Sequence, residues 1–289
     1  MMPRVAVAGA AGLCVLALVG LAAQRWLSSQ PVVAELPPGA RLDRAHRVAV
    51  WPGKREAPCP LVSARVATVL VLGQSNAGNH AQGAGEPAPD ADVLNWFDGK
   101  CYIASSPLLG ATGELQQPWI AMARLMLKSG QLEHVVLAPI AVAGSPIARW
   151  ASSGDLHPVL LDDAARLQRQ LAVSAVLWVQ GEADFGRSTA PEAYASMLAD
   201  VVTAIRRAGI AAPVYVYTAT WCLDTARWTP SNPLARMQRA VALAGTKPGV
   251  DLDALLLAQD RFDGCHLGAS GIRKVADASA RLLLGTSPP

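Results

Sequence analysis

The chain has 289 residues, of which 52% are hydrophobic and 16% are charged, and its formal net charge is +3. This length and composition suit one α/β domain with an appendage, or two small domains, and they exclude a wholly disordered chain. The small positive surplus, without a block of lysine or arginine, gives no reason to expect a nucleic-acid partner. Exposed members of the 8 tryptophans would suit stacking against sugar rings.

The first predicted element is an apolar N-terminal segment. Residues 5–23 carry no charge, and about 20 apolar residues are enough to cross a bilayer. Residues 1–23 are therefore interpreted as a transmembrane anchor or a secretory signal peptide, and the length of the run favours the anchor. A buried core helix is a third interpretation, although an uncapped Gly/Ala-rich end makes a poor soluble helix. Both membrane interpretations predict an extracytoplasmic domain, periplasmic or secreted.

The cysteines fit that compartment. Cys14 lies in the apolar run. The remaining cysteines are Cys59, Cys101, Cys222 and Cys265, an even number with three possible pairings. An oxidising compartment favours disulfides, and we predict the pairs Cys59–Cys101 and Cys222–Cys265. Four buried free thiols are the alternative. None of these cysteines has the CxxC spacing of a zinc or redox site, so no metal is expected.

Strand and helix patterns alternate along the rest of the chain. Residues 24–45 are interpreted as a linker and residues 46–289 as one domain. Asp-Gly at 98–99 predicts a hairpin between 93–97 and 101–103. Strand-like runs occupy 67–72, 134–142, 175–179 and 214–220. Helical patterns occupy 118–128, 158–171, 191–207, 233–244 and 269–284. This alternation predicts a parallel sheet covered on both faces by helices.

A serine follows the first of these strands. Ser75 comes two residues after Gly73, which ends the apolar run. A tight strand-to-helix turn exposes such a hydroxyl and directs backbone N–H groups at an oxyanion. Ligands also bind beyond the carboxyl ends of strands in open parallel sheets. The alternative is a serine that only caps a helix.

A late loop contains the base that a serine nucleophile needs. Asp263 precedes His266 by three residues, ahead of the last helical pattern. The carboxylate can accept from one ring nitrogen while the other faces Ser75. A surface-loop histidine is the alternative for His266. The remaining histidines are interpreted as structural or solvated: His46, His80, His134 and His157.

Two further strand ends contain candidate oxyanion donors. Gly144 lets a backbone N–H approach closely, and Gln180 offers a side-chain amide. The N–H of Ser75 would be the third donor. A turn glycine and a residue that caps a strand are the alternative interpretations of Gly144 and Gln180.

These residues stand in motifs that resemble a known family. The motifs are Gly73-Gln-Ser-Asn76, Gly144, Trp178-Val-Gln-Gly-Glu-Ala-Asp184 and Asp263-Gly-Cys-His266. In this order they resemble the sialate O-acetylesterase-like branch of the SGNH hydrolases over about residues 65–285, and acetylxylan-type carbohydrate acetylesterases are similar. The resemblance implies a flavodoxin-like three-layer α/β/α sandwich with a central parallel sheet, and it implies no metal or cofactor.

The resemblance also assigns roles. It implies that Ser75 is the nucleophile, His266 the base and Asp263 its partner. It implies an oxyanion hole made by Ser75, Gly144 and Gln180.

Three neighbours of the nucleophile complete the comparison with the family. Asn76 and Glu182 lie near the site in the family, and Glu182 is a second candidate for the acidic partner. Ala77 stands where the family usually has Met, and we expect this smaller side chain to open the pocket beside the nucleophile.

The predicted function is a serine esterase that removes O-acetyl groups from carbohydrates. Acetyl transfer to cell-envelope polysaccharide by the same residues is one alternative, and a non-catalytic glycan-binding module is another. The predicted partners are an acetylated glycan and, if residues 1–23 are uncleaved, a membrane. The sugar, the linkage and the oligomeric state stay open. The candidates for a sugar groove are Arg149, Trp150, Trp221, Arg227 and Trp228.

Overall fold

The computed structural model describes residues 36–86, 88–223 and 226–286. The predicted anchor or signal peptide at 1–23 lies outside the described residues, as does most of the predicted linker. Within the described part of the chain, no helix combines the length and the apolar character that a membrane span needs. From Pro38 onward the chain forms one compact unit, and its first strand, Arg41–Leu42, lies within the segment predicted as linker.

Two sheets occur in the described residues. Strands β1 (Arg41–Leu42) and β2 (Val48–Val50) form a small antiparallel pair. The large sheet has eight strands, which are β3 Glu56–Ala57, β4 Val66–Gly73, β5 Val93–Phe97, β6 Lys100–Ile103, β7 His134–Ala141, β8 Ala175–Val179, β9 Val214–Thr218 and β10 Thr246–Asp251. Their spatial order is β10-β9-β8-β4-β7-β5-β6-β3.

Most neighbours in the large sheet are parallel. The pairs from β10 across to β5 run parallel, whereas β5–β6 and β6–β3 are antiparallel. The predicted hairpin is confirmed, and Asp98 and Gly99 at its tip both have positive φ, as a tight two-residue turn requires. Without this hairpin, the parallel strands follow the doubly wound order 2-1-3-4-5. The order reverses at β4, which lies between β7 and β8.

Helices cover both faces of this sheet. The helices are α1 Trp119–Leu127, α2 His157–Gln170, α3 Glu182–Gly186, α4 Pro191–Arg207, α5 Pro233–Arg239, α6 Leu252–Leu255 and α7 Ala269–Leu284. Along β4, Leu70 and Leu72 pack with residues of α2 and α4, whereas Val69 and Val71 pack with α1 and α7. This alternation follows from the two-residue period of a strand. The predicted arrangement of a parallel sheet between helices is therefore confirmed, apart from its antiparallel edge.

Candidate active site

The turn that contains Ser75 begins at the point where the strand order reverses. Gly73 ends β4 with φ +143°, and a Cβ built there would lie 1.9 Å from the carbonyl oxygen of Val179 in β8. Only glycine fits this close approach. A 3₁₀ turn, Ser75–Ala77, follows immediately, and its N-cap is Gln74 rather than Ser75. Ser75 is 5% exposed and lines a cleft at this end of the sheet.

The late loop brings a paired histidine to the same cleft. His266 Nδ1 lies 2.6 Å from Asp263 Oδ2, and Asp263 Oδ1 accepts from the backbone N–H groups of His266 and Cys265 at 2.7 and 2.9 Å. Burial raises the pKa of Asp263, but these hydrogen bonds outweigh burial and hold the pKa below its ordinary value. Asp263 is therefore ionised at neutral pH. With Nδ1 on the carboxylate, Nε2 is the ring nitrogen available to a substrate or nucleophile.

Five of the residues predicted for the site line one cleft: Ser75, Gly144, Glu182, Asp263 and His266. They come from four separate segments of the chain, at the ends of β4, β7 and β8 and in the loop before α7. This meeting follows from the parallel sheet, because the carboxyl ends of its strands share one edge.

Gly144 lies in a loop that is fixed on both sides. Its φ is +63°, a conformation that favours glycine. The preceding amide, of Ala143, donates to Thr112 Oγ1 at 2.8 Å, and the following amide, of Ser145, donates to Val142 O at 3.3 Å. The Ser145 hydroxyl accepts from Trp150 Nε1 at 2.9 Å. The Gly144 backbone at the cleft wall is thus held in one orientation.

Gln180 differs from its predicted role as an oxyanion donor. It is fully buried and does not line the cleft. Its Nε2 lies 2.6 Å from Asp184 Oδ2, 3.1 Å from Ser145 O and 3.2 Å from Gln74 Oε1. Because an amide NH₂ has only two hydrogens, these three acceptors already use its capacity. Gln180 therefore supports the segments on either side of the cleft.

Glu182 forms a buried pair with Asn76. Asn76 Nδ2 donates to Glu182 Oε1 at 2.7 Å, and both side chains are buried next to the Ser75 turn. Burial raises the pKa of Glu182 to about 7, and the hydrogen bond from Asn76 and the charge of Arg261 oppose that rise. The carboxylate bonded to the His266 ring is Asp263, whereas the hydrogen bond of Glu182 goes to Asn76.

Residues 66–284 match the family described as "Carbohydrate esterase, sialic acid-specific acetylesterase". The chain belongs to this family. Membership supports an acetylesterase function and the class of ester hydrolase. The chain matches none of the curated proteins.

Solved structures share the fold of this carbohydrate esterase. An Arabidopsis thaliana protein is 18% identical with a TM-score of 0.63, and the match covers 75% of this chain and 98% of that one. NanS is 15% identical with a TM-score of 0.54, covering 78% and 98%. A carbohydrate acetylesterase from Xanthomonas citri is 16% identical with a TM-score of 0.50, covering 77% and 57%. At these identities the likeness shows the fold alone.

The alanine after Asn76 does not open the pocket of this esterase. Ala77 is fully buried, and its carbonyl accepts from Trp119 Nε1 at 2.8 Å. It packs in the core beneath the turn and does not line the cleft. The expectation of a wider pocket was therefore wrong, because this side chain points into the core.

Both pairs of cysteines are bonded in the way that the sequence predicts. Cys59 is linked to Cys101, and Cys222 is linked to Cys265. The second bond lies at the cleft and joins the residue before His266 to the segment after β9. It thus ties the histidine loop to the sheet.

The candidate sugar-groove residues do not all lie at the surface. Trp150 is fully buried against Trp178, with ring centroids 5.9 Å apart, so it belongs to the core and not to a groove. Arg149 pairs with exposed Asp155 at 2.6 Å. Closer to the surface, partly exposed Trp221 and Trp228 stack with centroids 4.6 Å apart. Arg227 lies over the Phe185 ring, 5.4 Å from its centroid.

Sequence reasoning missed His80 as a titratable residue of the cleft. His80 lines the cleft, and its ring stacks on His266 with centroids 5.4 Å apart. It was interpreted as structural or solvated because nothing in its local pattern pairs it with a distant loop. The available signal was its position five residues after Ser75, on the segment that leaves the nucleophile turn.

Proposed function

We propose that this protein is a serine esterase that removes O-acetyl groups from carbohydrates, with Ser75 as its nucleophile. Family membership supports the acetyl group and the carbohydrate. The observation that carries the catalytic proposal is the 2.6 Å contact between His266 Nδ1 and Asp263 Oδ2, in the cleft that Ser75 also lines. A serine hydroxyl needs a base to take its proton, and the base needs a partner that fixes its ring.

In the proposed mechanism, Ser75 Oγ attacks the acetyl carbonyl carbon while its proton passes to His266 Nε2. Ionised Asp263 stabilises the imidazolium that forms. The tetrahedral intermediate then collapses, His266 returns the proton to the departing sugar oxygen, and an acetyl ester remains on Ser75. Water, activated by the same imidazole, releases acetate and restores the hydroxyl.

Negative charge on the tetrahedral oxygen needs donors that are already in position. The backbone N–H groups of Ser75 and Gly144 are the proposed donors. The backbone of Gly73 packs closely against Val179 of β8, and the amides of Ala143 and Ser145, on either side of Gly144, are both hydrogen-bonded. These contacts support the assignment because they hold the two donor segments in place. Donors held in place before the reaction need no reorganisation as charge develops.

The wider setting belongs to the same proposal. The doubly wound strand order and the four motifs support an SGNH-type hydrolase fold. Two disulfides support an extracytoplasmic domain, since such bonds persist in oxidising compartments. The family description makes O-acetylated sialic acid the first substrate to test, followed by acetylated xylan and bacterial envelope polysaccharide.

The test is acetate release by the full-length protein from those acetylated carbohydrates, with 4-nitrophenyl acetate as a general ester. Ser75→Ala should abolish release. Ser152→Ala is the matched control, since this serine is exposed, bonds to Asp200 and lies outside the cleft. Full activity of Ser75→Ala would overturn the proposal, as would an absence of acetate release from every ester by the wild type.

A further inference from the structure

The ring of His80 lies against the proposed general base. The His80 and His266 rings stack with centroids 5.4 Å apart and an angle of 25° between their planes. Both side chains line the cleft. A ring packed face to face in this way restricts the rotation of its neighbour about χ2, and that rotation decides which nitrogen meets the carboxylate.

The fold fixes His80 from both sides of its own segment. The Asn79 N–H donates to Thr112 O at 2.9 Å, and the Gln82 N–H donates to Leu267 O at 2.8 Å. The segment that leaves the nucleophile turn is therefore bonded to the residue after His266 and to the segment that contains Thr112. The stack thus rests on backbone hydrogen bonds and not on the imidazoles alone.

A hydrogen bond continues from His80 toward the proposed oxyanion hole. His80 Nε2 lies 3.2 Å from Thr112 Oγ1, and the same oxygen accepts from the N–H of Ala143 at 2.8 Å. Ala143 directly precedes Gly144. A Cβ on Gly113 would lie 2.7 Å from His80 Nε2, so the glycine leaves the space that the ring needs to reach Thr112.

His80 is neutral at neutral pH. Burial and, to a smaller extent, the neighbouring His266 lower its pKa to about 4, and Asp263 opposes this change. These two residues are the titratable groups that act on the His80 ring, and Thr112 and Gly113 on its other side carry no charge. A neutral ring does not repel the positive charge that His266 gains during attack.

We propose that His80 is a positioning residue: it holds the ring of His266 and, through Thr112, ties that ring to the backbone of Ala143 and Gly144. The base and one oxyanion donor then keep a fixed mutual geometry. The proposal rests on the proposed function, because it assigns a role toward Ser75 chemistry. It adds a residue that the triad and the donors do not include.

The experiment compares kcat and KM for 4-nitrophenyl acetate in four single variants and one double variant of the full-length protein. His80→Phe keeps a ring but loses Nε2, and Thr112→Val keeps the shape but loses the hydroxyl. Each should lower kcat about 10- to 100-fold with KM within about twofold, because misplaced groups weaken the transition state and not uniform binding. Thr112→Ser should restore most of that kcat. His134→Phe, a change of the same type outside the cleft, should keep the wild-type kcat.

The double variant separates a shared role from two independent packing defects. If His80 and Thr112 act as one unit, His80→Phe/Thr112→Val should lose no more kcat than the worse single variant. Losses that multiply would overturn the proposal, as would a kcat within about twofold of wild type in both single variants. If His80→Phe does not fold, judged by urea unfolding, the Thr112→Val and Thr112→Ser pair decides the outcome.

Ser75→Ala, measured beside these variants, separates the two levels of the argument. Retained activity in Ser75→Ala would mean that the proposed function fails. An inactive Ser75→Ala together with wild-type kcat in His80→Phe and Thr112→Val would mean that only the role of His80 fails.

Discussion

The buried carboxyl of Glu182 makes the stability of this protein depend on pH in a definite direction. Burial raises its pKa from an ordinary value of 4.5 to about 7. The folded state therefore binds this proton more tightly than the unfolded state, and stability falls as pH rises from 4.5 to about 7. Since each pKa unit corresponds to about 1.4 kcal/mol, the full loss is about 3 kcal/mol.

Glu182→Gln isolates this effect. Gln keeps the size of the side chain and an oxygen for Asn76 Nδ2, which now donates to Oε1 at 2.7 Å, but it cannot ionise. The other carboxyl oxygen, Oε2, is buried without a hydrogen-bond partner among the described residues, so substitution there breaks no bond to the protein. Wild type should therefore lose stability relative to Glu182→Gln as pH rises.

The measurement is urea unfolding of both proteins, with the disulfides intact, at about pH 5 and about pH 8. The difference in unfolding free energy between Glu182→Gln and wild type should grow by about 2 to 3 kcal/mol over this interval. All other titrating groups cancel in that difference. An equal pH dependence in the two proteins would refute the reasoning, because it would mean that Glu182 ionises alike in the folded and unfolded states.

Three further predictions follow from the cleft and its supports. Replacing Cys222 and Cys265 by serine removes a cross-link that spans 43 positions, and urea unfolding should show that the free energy of unfolding falls by up to roughly 4 kcal/mol. The value of kcat should also fall, because the disulfide holds the loop that contains the base. If both the unfolding free energy and kcat stay unchanged, the disulfide does not support this loop. Gly73→Ala places a Cβ 1.9 Å from Val179 O, so its urea midpoint should reveal a loss of about 3 kcal/mol or more, and a stable variant would show that β4 and β8 can separate there. Asp263→Asn should keep the fold, judged by circular dichroism, but lower kcat by about 10³- to 10⁴-fold; a loss of only a few fold would mean that another group orients the base.

Local turn chemistry explains which parts of the fold the sequence predicts. The hairpin was predictable because Asp98 and Gly99 favour the positive φ of a tight turn. The strand β10 was not, because Pro248 and Gly249 interrupt its apolar pattern. β10 lies at the edge of the sheet, where a proline is tolerated. Its pairing with β9 depends on the assembled sheet and not on the local sequence.

The candidate site shows the same division. Ser75 was predictable because a parallel sheet brings its strand ends to one edge. Asp263 and His266 were predictable because their spacing on one loop pairs a carboxylate with an imidazole. How deeply a side chain at that edge is buried was not predictable. Gln180 looked like a donor at a strand end, yet it lies fully buried beneath the cleft. The opposite error concerned His80, which was interpreted as structural or solvated but lines the cleft. Its stacking partner, His266, is 186 positions away in the sequence and becomes a neighbour only because backbone hydrogen bonds join the two segments.

The central claim is that Ser75 is the nucleophile, and covalent labelling tests it most directly. The full-length protein is treated with a serine-directed fluorophosphonate, and the adduct is located by peptide mass spectrometry while acetate release is followed. A single adduct on Ser75, with activity lost in proportion to labelling and no adduct in Ser75→Ala, is the predicted result. An adduct on a different residue, or undiminished acetate release after complete labelling of Ser75, would contradict the claim.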